Sequence, residues 1–454
     1  MNTATTLTRP SGAGAVHDRT ARPADDDALY RKVSWRLIPL LCVCYIFNHL
    51  DRNNVAFAQL QLKDQLGFSD SIFGLGAAIF FVGYALFEVP SNLLMARIGA
   101  RATLLRIMVL WGAVSTATMF VATPMQFYVA RFLLGVFEAG FAPGVLFYLT
   151  LWYPSQRRAQ INGLFFTASA AAPILAGPIA GLTMTYLDGT GGLRGWQWLF
   201  LIEGLPSVLL GFVAYRWLTN RPTEAHWLAA SEQRRLTDAL HNEHASAQAT
   251  GRQHHQRFGT ALRDPRVWLL SLVSFLIVAG IYALAFWQPT MLKSMGLSTL
   301  QIGFYSVVPA LFGVASMLLV GRHSDRTHER RWHYTISAAV GAAGLSLTTR
   351  FMHDPVAAIA CLSLAAAGIS AAFAIFWAVP GSFLADKAAA GGIALISTLA
   401  GCGGVVAPML VGAIKSATGG FTVSLYLLSG ALVVSAPLLW LAVRSERPAP
   451  AAGS

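Results

Sequence analysis

Charged residues are scarce in this sequence. Asp, Glu, Lys and Arg make up only 12% of its 454 residues, whereas 55% are hydrophobic and the mean hydropathy is +0.53. An average soluble protein carries roughly 25% charged residues, so the charges here are too few to cover the surface of a soluble globule. We therefore expect lipid to replace water over much of the exterior.

Cysteine is rare as well, and the motifs of several enzyme classes are missing. The four cysteines all fall inside apolar runs, and Cys42 and Cys44 would point to different faces of one helix, which is poor geometry for metal ligands. No His-x-x-x-His or Glu-x-x-His pattern lies within an apolar run, and no Gly-x-x-x-x-Gly-Lys-Ser/Thr phosphate loop is present. The sequence therefore predicts no disulfide framework, no metal site, no enzyme and no ATP-driven pump.

Long apolar runs are what the sequence does contain. Each has about the length that a helix needs to cross the hydrocarbon core, roughly 20 residues, and none alternates as a membrane strand would. Six runs precede a long polar stretch and six follow it, which predicts an all-α membrane protein with twelve transmembrane helices in two six-helix bundles. The predicted spans are 36–58, 72–95, 102–122, 126–151, 159–187, 197–218, 266–292, 299–321, 331–351, 355–379, 388–415 and 421–443.

The polar segments divide the chain into five parts. The first of them mixes Arg with Asp and lacks the apolar core of a signal peptide, which indicates a cytoplasmic tail. The stretch between the bundles contains His254, His255 and Arg257 and is typical of a solvated linker that is helical in part. We predict an N-terminal tail at 1–30, a bundle at 31–218, a linker at 219–265, a second bundle at 266–443 and a C-terminal tail at 444–454.

Basic residues predict the orientation. If the N-terminus is cytoplasmic, most of the 33 Lys and Arg residues lie on the cytoplasmic side, in short loops as well as in the linker. Both termini are therefore predicted to be cytoplasmic, in a multi-pass protein of the inner (plasma) membrane. The charges form no single basic face, so the net charge of +12 does not indicate nucleic-acid binding. The basic residues of the predicted outer loops are Lys63, Arg194, Lys293, Arg350 and Lys415.

The strongest cases of charged residues deep inside predicted spans are four, all in the first half: Asp51, Arg52, Arg131 and Glu138. A charge at the bilayer centre costs at least about 2.5–3.5 kcal/mol on insertion scales, so such residues are usually paired or functional. Arg131 and Glu138 are two helical turns apart and share a face. The predicted bounds place Arg52 about six residues before the outer end of its span, at a depth similar to that of Arg131.

The chemistry of these four residues suits an anion and a proton. Arginine keeps its charge and offers a fork that fits a carboxylate, so Arg52 and Arg131 are predicted to hold an organic anion. Burial disfavours an ionised carboxylate and a nearby arginine favours it, so Asp51 and Glu138 are predicted to exchange protons during transport. Two alternatives stay open: the four residues form a static set of ion pairs, or Asp51 only neutralises Arg131.

Several motifs resemble those of a known family. The Gly-x-x-x-Asp-Arg-x-x-x-Arg-Arg loop at 321–331 is echoed, without its Asp, by the loop after the second span, and such repeated halves are similar to the major facilitator superfamily. Over residues 30–445 the chain resembles the anion:cation symporter family, in its tartrate-transporter-like branch, and is also similar to phthalate and hydroxyphenylacetate permeases. The motifs behind this resemblance are Leu50–Asn54, Phe87–Asn92, Arg131–Gly140, Phe286–Pro289 and Phe376–Pro380.

The resemblance implies further site residues in addition to those chosen on chemistry alone. It implies the anion and proton roles of the four charges, and it places Tyr282, Trp287, Gln288 and Ser397 along the cavity. The family usually carries asparagines where this chain has Ser397 and Gly401, so this helix departs from the family pattern. The predicted substrate-binding residues are Arg52, Arg131, Tyr84, Asn48 (a hydrogen-bond partner for Arg52), Tyr282, Trp287, Gln288 and Ser397, and the predicted gating or structural residues are Glu88, Arg97, Arg101, Asp325, Arg326, Pro178 and Pro408.

These expectations combine into one predicted function. The chain is predicted to be a secondary active transporter that takes up a small organic anion with protons, by alternating access. A hydroxy-carboxylate such as tartrate or a sugar acid is the expected substrate. The expected partners are the anion, protons and the lipid bilayer, with the proton gradient as energy source, no cofactor, no nucleic acid and a monomeric state. The alternatives are an importer of aromatic acids of the phthalate or hydroxyphenylacetate type, which Phe286, Trp287 and Trp377 favour, and a proton-coupled exporter.

Overall fold

The computed structural model describes residues 23–249, 263–380 and 389–443, and almost all of these residues are helical. The first half contains α1 (Pro23–Leu66), α2 (Asp70–Ile98), α3 (Ala100–Ala117), α4 (Pro124–Glu138), α5 (Phe141–Thr150), α6 (Ser155–Tyr186) and α7 (Gly195–Trp217), followed by the polar helix α8 (Ala230–Ala249). The second half contains α9 (Pro265–Ser294), α10 (Thr299–Tyr305), α11 (Val307–Thr327), α12 (Arg331–Phe351), α13 (Pro355–Trp377), α14 (Ala389–Thr418) and α15 (Thr422–Val443).

Eleven spans within the described residues are long and apolar enough to cross a membrane, and two of them are joined pairs, α4 with α5 and α10 with α11. The predicted span at 331–351 is present as α12, but charged and small residues make it less apolar. Its glycines allow close packing on α13, since an ideal Cβ on Gly368 would lie 2.2 Å from the backbone nitrogen of Gly341. With α12 the described part holds six spans before α8 and six after it, so the predicted fold class is confirmed.

The first helix is longer than predicted. It runs from Pro23 to Leu66 rather than over 36–58, because its polar far part packs on α7. There Gln61 Oε1 accepts a hydrogen bond of 2.8 Å from the backbone nitrogen of Trp196. Arg52 therefore lies almost four turns before the end of the helix, whereas the predicted bounds place it about six residues before the end of the span.

The predicted continuous span at 126–151 is broken in the middle. Helix α4 ends at Glu138, and Gly140 has the left-handed φ of 89° before α5 begins. A side chain at Gly140 would also lie 2.7 Å from Ser91 Oγ on α2, so both backbone conformation and space require glycine there. The break leaves Glu138 on the last turn of α4.

Helix α8 is held against the first half by ion pairs. Lys32 Nζ lies 2.7 Å from Glu232 Oε2, Arg158 pairs with Glu243 at 3.2 Å, and Arg235 pairs with Asp26. The hydrogen bond from Lys32 lowers the pKa of the Glu232 carboxyl below its usual value. The predicted helical content of the linker is thus present in its first part. Residues 1–22 and 444–454 of the predicted tails, and His254, His255 and Arg257, lie outside the described residues.

The two halves meet at one end of the molecule, which we call the far end because it lies opposite the start of α1 and the end of α15. An ideal Cβ on Gly412 (α14) would lie 2.5 Å from the carbonyl oxygen of Asp70 (α2), and one on Gly303 (α10) would lie 2.5 Å from that of Gly177 (α6). Lys415 Nζ binds Asp70 Oδ1 at 3.0 Å. Backbones this close require small residues, so the far end is closed by direct helix contact.

Gly412→Ala should weaken this closure. The added methyl group overlaps a backbone oxygen, and overpacking of this kind costs about 1–3 kcal/mol. The measurement is disulfide cross-linking between cysteines placed at Ser71 and Ser416, whose hydroxyl oxygens are 2.8 Å apart, in a background without the native cysteines. Cross-linking should slow at least severalfold. Gly430→Ala on α15, where a Cβ meets nothing within 4 Å, is the matched control and should not change the rate.

Candidate functional site

A buried ion pair joins α1 to the end of α4. Arg52 Nε donates to Glu138 Oε1 at 2.9 Å, and Arg52 Nη2 donates to the same oxygen. Glu138 is wholly buried, whereas the Arg52 side chain is 14% exposed. Glu138 Oε2 has no hydrogen-bond partner among the described residues. The pair thus links a wholly buried carboxylate to an arginine side chain that is partly exposed.

Arg131 lies next to this pair with its fork unused. It is 1% exposed, and its one hydrogen bond is a long contact of 3.4 Å from Nε to the carbonyl oxygen of Gly76. Within the described part of the chain, Nη1 and Nη2 have no partner. The guanidinium lies 4.9 Å from the ring centre of Phe80, which Arg52 also faces at 5.3 Å. We call Arg52, Arg131 and Glu138 the arginine cluster.

Asp51 lies apart from the arginine cluster, on another face of α1. It is wholly buried and accepts three hydrogen bonds, from Trp111 Nε1 at 2.9 Å, Ser115 Oγ at 2.5 Å and Ser207 Oγ at 2.7 Å. The alternative in which Asp51 neutralises Arg131 was therefore wrong. Adjacent residues on a helix point about 100° apart, so Arg52 faces α2 and α4 while Asp51 faces α3 and α7.

Three of the remaining predicted substrate residues lie near Arg52. Its guanidinium is 5.3 Å from the ring centre of Tyr84, and Tyr282 of the second half is within electrostatic range. The ring of Tyr282 packs against Phe81 across the two halves, with centroids 4.5 Å apart. Asn48 is buried beside Glu138, and the predicted hydrogen bond between Arg52 and Asn48 is not formed.

Trp287, Gln288 and Ser397 have three different surroundings. Trp287 is wholly buried in the far-end contact, where its Nε1 donates to the carbonyl oxygen of Pro408 at 3.2 Å. Gln288 lines a cavity between the halves, and Ser397 lies on an exposed face of α14. The structure thus places Gln288 at a ligand-sized space, and it places Trp287 at a helix contact.

The cavity between the halves has a volume of about 280 Å³. Helices α1 and α6 form one wall, and α9, α11 and α13 form the other. On α1 the cavity is lined by Asn53, the residue after Arg52, but none of its lining residues belongs to the arginine cluster. Most of its surface is apolar, and its polar lining residues are Asn53, Ser169, Gln288, Ser306 and Ser370.

The predicted gating residues lie at the two ends of the molecule. Arg101 Nε donates to the carbonyl oxygen of Tyr215 at 2.9 Å and fastens the start of α3 to α7. Asp325 forms a loose pair of 3.3 Å with Arg330, while Arg97 and Arg326 are exposed. Glu88 is half-buried within electrostatic range of Arg52. Pro178 and Pro408 both lie where the halves touch at the far end, next to Gly177 and against Gly74 respectively.

Sequence reasoning missed one buried charge, Glu203 on α7. It is 1% exposed, and its Oε2 has no hydrogen-bond partner in the described ranges. The signal was available, because Glu203 lies well inside the predicted span 197–218, but it matches no family motif. Across the described residues there is no group of three or more His, Cys, Asp or Glu that could hold a metal ion.

Comparison with known proteins identifies the relatives of this chain. Residues 41–408 match the family model of the Major Facilitator Superfamily. NicT of Pseudomonas putida, provisionally named a metabolite transport protein, is 43% identical over 90% of this chain and 93% of its own. A protein of Agrobacterium vitis with the provisional name of tartrate transporter is 45% identical over 89% and 92%. A quinolone resistance transporter of Acinetobacter baumannii is 40% identical over 88% and 91%.

The fold is also shared with solved structures. A bacterial homologue of the human lysosomal transporter Spinster superposes with a TM-score of 0.73 at 17% identity, over 95% of this chain and all of the other. At this identity the likeness concerns the fold alone.

Ser207→Ala should destabilise the protein through Asp51. The change removes one of three donors to a wholly buried carboxylate, and a hydrogen bond to a charged group contributes about 1.5–3 kcal/mol. The measurement is the unfolding midpoint in detergent. Ser169→Ala is the control, because the Ser169 hydroxyl bonds only the carbonyl oxygen of Phe166 within its own helix, and the midpoint should stay close to that of the wild type.

Proposed function

This chain belongs to the Major Facilitator Superfamily, whose members are membrane transporters and not enzymes, and we propose that it carries a small organic anion into the cell together with protons. The protein acts as a monomer in the inner membrane, with both termini in the cytoplasm. The short basic loops support this orientation. The superfamily generally needs no cofactor, and here the proton gradient supplies the energy.

The observation that carries the proposal is the unused fork of Arg131 beside the Arg52–Glu138 pair. A guanidinium with two unpartnered donors in a buried site is a ready binding group for a carboxylate. Arg131 is 1% exposed and lies near the apolar ring of Phe80, and such water-poor surroundings strengthen charge-assisted hydrogen bonds. A carboxylate bound there would lie next to Arg52, so both arginines contact the anion.

The same geometry couples the anion to a proton. Arg52 cannot bind the anion with its full charge while it neutralises Glu138. When Glu138 takes up a proton, the ion pair is lost and Arg52 turns its charge to the substrate. Proton and anion therefore favour each other's binding, which is the thermodynamic requirement of a symporter.

Alternating access requires that the site open to one side at a time, and the far-end contact provides one closed state. The close approach of α2 to α14 and of α6 to α10 seals that end in the present structure. Rocking of one half against the other would break these glycine contacts and open the site outward.

Tartrate or another hydroxy-carboxylate is the proposed substrate, because a relative at 45% identity carries the provisional name of tartrate transporter. Two observations favour other candidates. The mostly apolar cavity wall suits an aromatic acid, and the quinolone resistance transporter at 40% identity favours export.

Uptake into proteoliposomes tests the proposal. A panel of labelled acids, with tartrate, phthalate and hydroxyphenylacetate among them, is offered with and without an inward proton gradient. Accumulation of one acid above its outside concentration, only with the gradient, is the expected result. Equal uptake in both conditions would refute proton coupling, and accumulation driven only by an outward proton flow would indicate export.

Glu138→Gln should abolish accumulation driven by the gradient, because an amide cannot gain or lose the coupled proton. Exchange of labelled for unlabelled substrate should remain measurable, since Arg52 and Arg131 are both retained. The measurement is uptake beside counterflow in the same proteoliposomes. Normal proton-driven accumulation by this variant would remove Glu138 from the mechanism.

Arg131→Lys should raise the apparent KM about ten- to a hundredfold. A point charge replaces a bidentate fork, and the lost hydrogen bond to a charged group contributes about 1.5–3 kcal/mol, with about 1.4 kcal/mol for each factor of ten. The measurement is the substrate dependence of the initial uptake rate. Arg234→Lys, at an exposed arginine of α8 with no assigned role, is the matched control, and an unchanged KM for Arg131→Lys would contradict the anion-binding role.

A further inference from the structure

The middle of the contact between α1 and α7 contains two buried carboxyl groups, while the cation Arg36 packs on the Trp217 ring at the other end of this helix pair, 3.4 Å from the ring centre. Glu203 on α7 is 1% exposed and Asp51 on α1 is wholly buried. Ser207, one turn after Glu203 on the same face of α7, donates to Asp51. The same Ser207 hydroxyl lies 3.3 Å from the backbone carbonyl oxygen of Glu203, so one side chain contacts both acidic residues. This contact lies on the side of α1 that faces away from the arginine cluster.

Unpartnered polar atoms surround Glu203. Asn54 lies beside its carboxyl group, and neither amide atom of Asn54 has a hydrogen-bond partner of normal geometry among the described residues. Thr116 Oγ1 of α3 is also buried without a partner in this part of the chain, next to Gly204. A buried site with this many open donors and acceptors can accommodate a proton that moves between oxygens.

Asp51 is the charged neighbour of Glu203, because the other charged side chains on the helices packed against α7 bond elsewhere. On α1, Arg52 points to Glu138 and His49 bonds the carbonyl oxygen of Tyr45. On α3, Arg101 and Arg106 lie toward the end of the molecule opposite the far end. Arg101 donates to the Tyr215 carbonyl oxygen, and Arg106 donates to Ser91. On α6, the charged residues Arg157 and Arg158 pair with Asp27 and Glu243 at that same end.

We propose that Glu203 and Asp51 form a second proton-binding site, a carboxyl pair that shares one proton. Two like charges in one buried contact disfavour ionisation of both. Asp51 accepts three hydrogen bonds, which stabilise its anion, so Glu203 holds the proton in the present structure. The proton passes between the pair when these donors rearrange, and the total charge of the pair stays at minus one.

The carboxyl pair adds a second proton site to the proposed transporter. One of its tests, the pH dependence of uptake, rests on the proposed function. It gives Asp51 a proton partner that lies outside the arginine cluster. Glu138 then responds to the anion through Arg52, while the carboxyl pair exchanges protons away from the substrate. Transport under this arrangement needs at least one proton on the pair.

Glu203→Gln is the decisive variant, because the amide has the shape of the protonated acid and cannot share a proton. A coupled pair loses its last proton at a higher pH than either acid would alone. With Glu203 neutralised, Asp51 alone must hold the proton, so the alkaline limb of uptake against pH should move to lower pH by about one unit or more. Glu203→Asp keeps the carboxyl group and should retain a limb near that of the wild type. Glu224→Gln, at an exposed acid after α7, is the matched control.

Each outcome decides the proposal. A Glu203→Gln profile that superimposes on the wild type, or equal shifts in Glu203→Gln and Glu203→Asp, would overturn it. If Glu203→Gln does not fold, infrared spectroscopy of the wild type and Glu203→Asp decides: a protonated-carboxyl band that moves in Glu203→Asp supports the pair, and an unmoved spectrum overturns it. A wild type without proton-driven uptake would refute the proposed function instead, and the infrared measurement would still test the carboxyl pair.

Discussion

The ion pair between Arg52 and Glu138 is the interaction on which the proposed site depends. A buried ion pair is a weak source of stability, because removing two charges from water offsets most of their attraction. The ion pair matters here because it makes the availability of Arg52 depend on the ionisation of Glu138. While Glu138 is ionised, Arg52 is occupied, and Arg131 is left as the only guanidinium of the cluster with an unused fork. The state of one carboxyl group thereby determines the charge that a substrate meets.

The backbone is arranged around that pair. Gly140 breaks the fourth span directly after Glu138, and the same glycine lets α2 approach closely through Ser91. The ring of Phe80 on α2 lies near both guanidinium groups, 5.3 Å from that of Arg52 and 4.9 Å from that of Arg131. At the far end, glycines of α2, α6, α10 and α14 bring the halves into backbone contact. The arginine cluster is therefore held within the first half, while the halves meet at the far end through glycine backbone contacts and the Lys415–Asp70 ion pair.

Much of this was predictable from the chain alone. Apolar runs of membrane length predicted twelve helices in two sets of six, which the structure confirms. Of the charges that stood out within the first six spans, the structure brings Arg52, Arg131 and Glu138 together and places Asp51 elsewhere. The predictions failed where the partner of a side chain depends on how helices distant in sequence pack together. One alternative paired Asp51 with Arg131 on α4, whereas the structure provides three neutral donors on α3 and α7. Trp287, expected along a substrate path, lies in a helix contact, and Glu203 was overlooked because no motif contains it.

The sequence by itself determined the membrane fold, since the length and apolarity of a run are local properties that each segment carries independently of the others. It also determined which charges are buried, because a residue in the middle of a span cannot reach water at its ends. Only the tertiary structure decided how those charges are paired. A rotation of about 100° separates Asp51 from Arg52, and it sends one side chain to a carboxyl pair and the other to the arginine cluster. Contacts of a few ångströms between distant helices set these partners, and no local pattern along the chain records them.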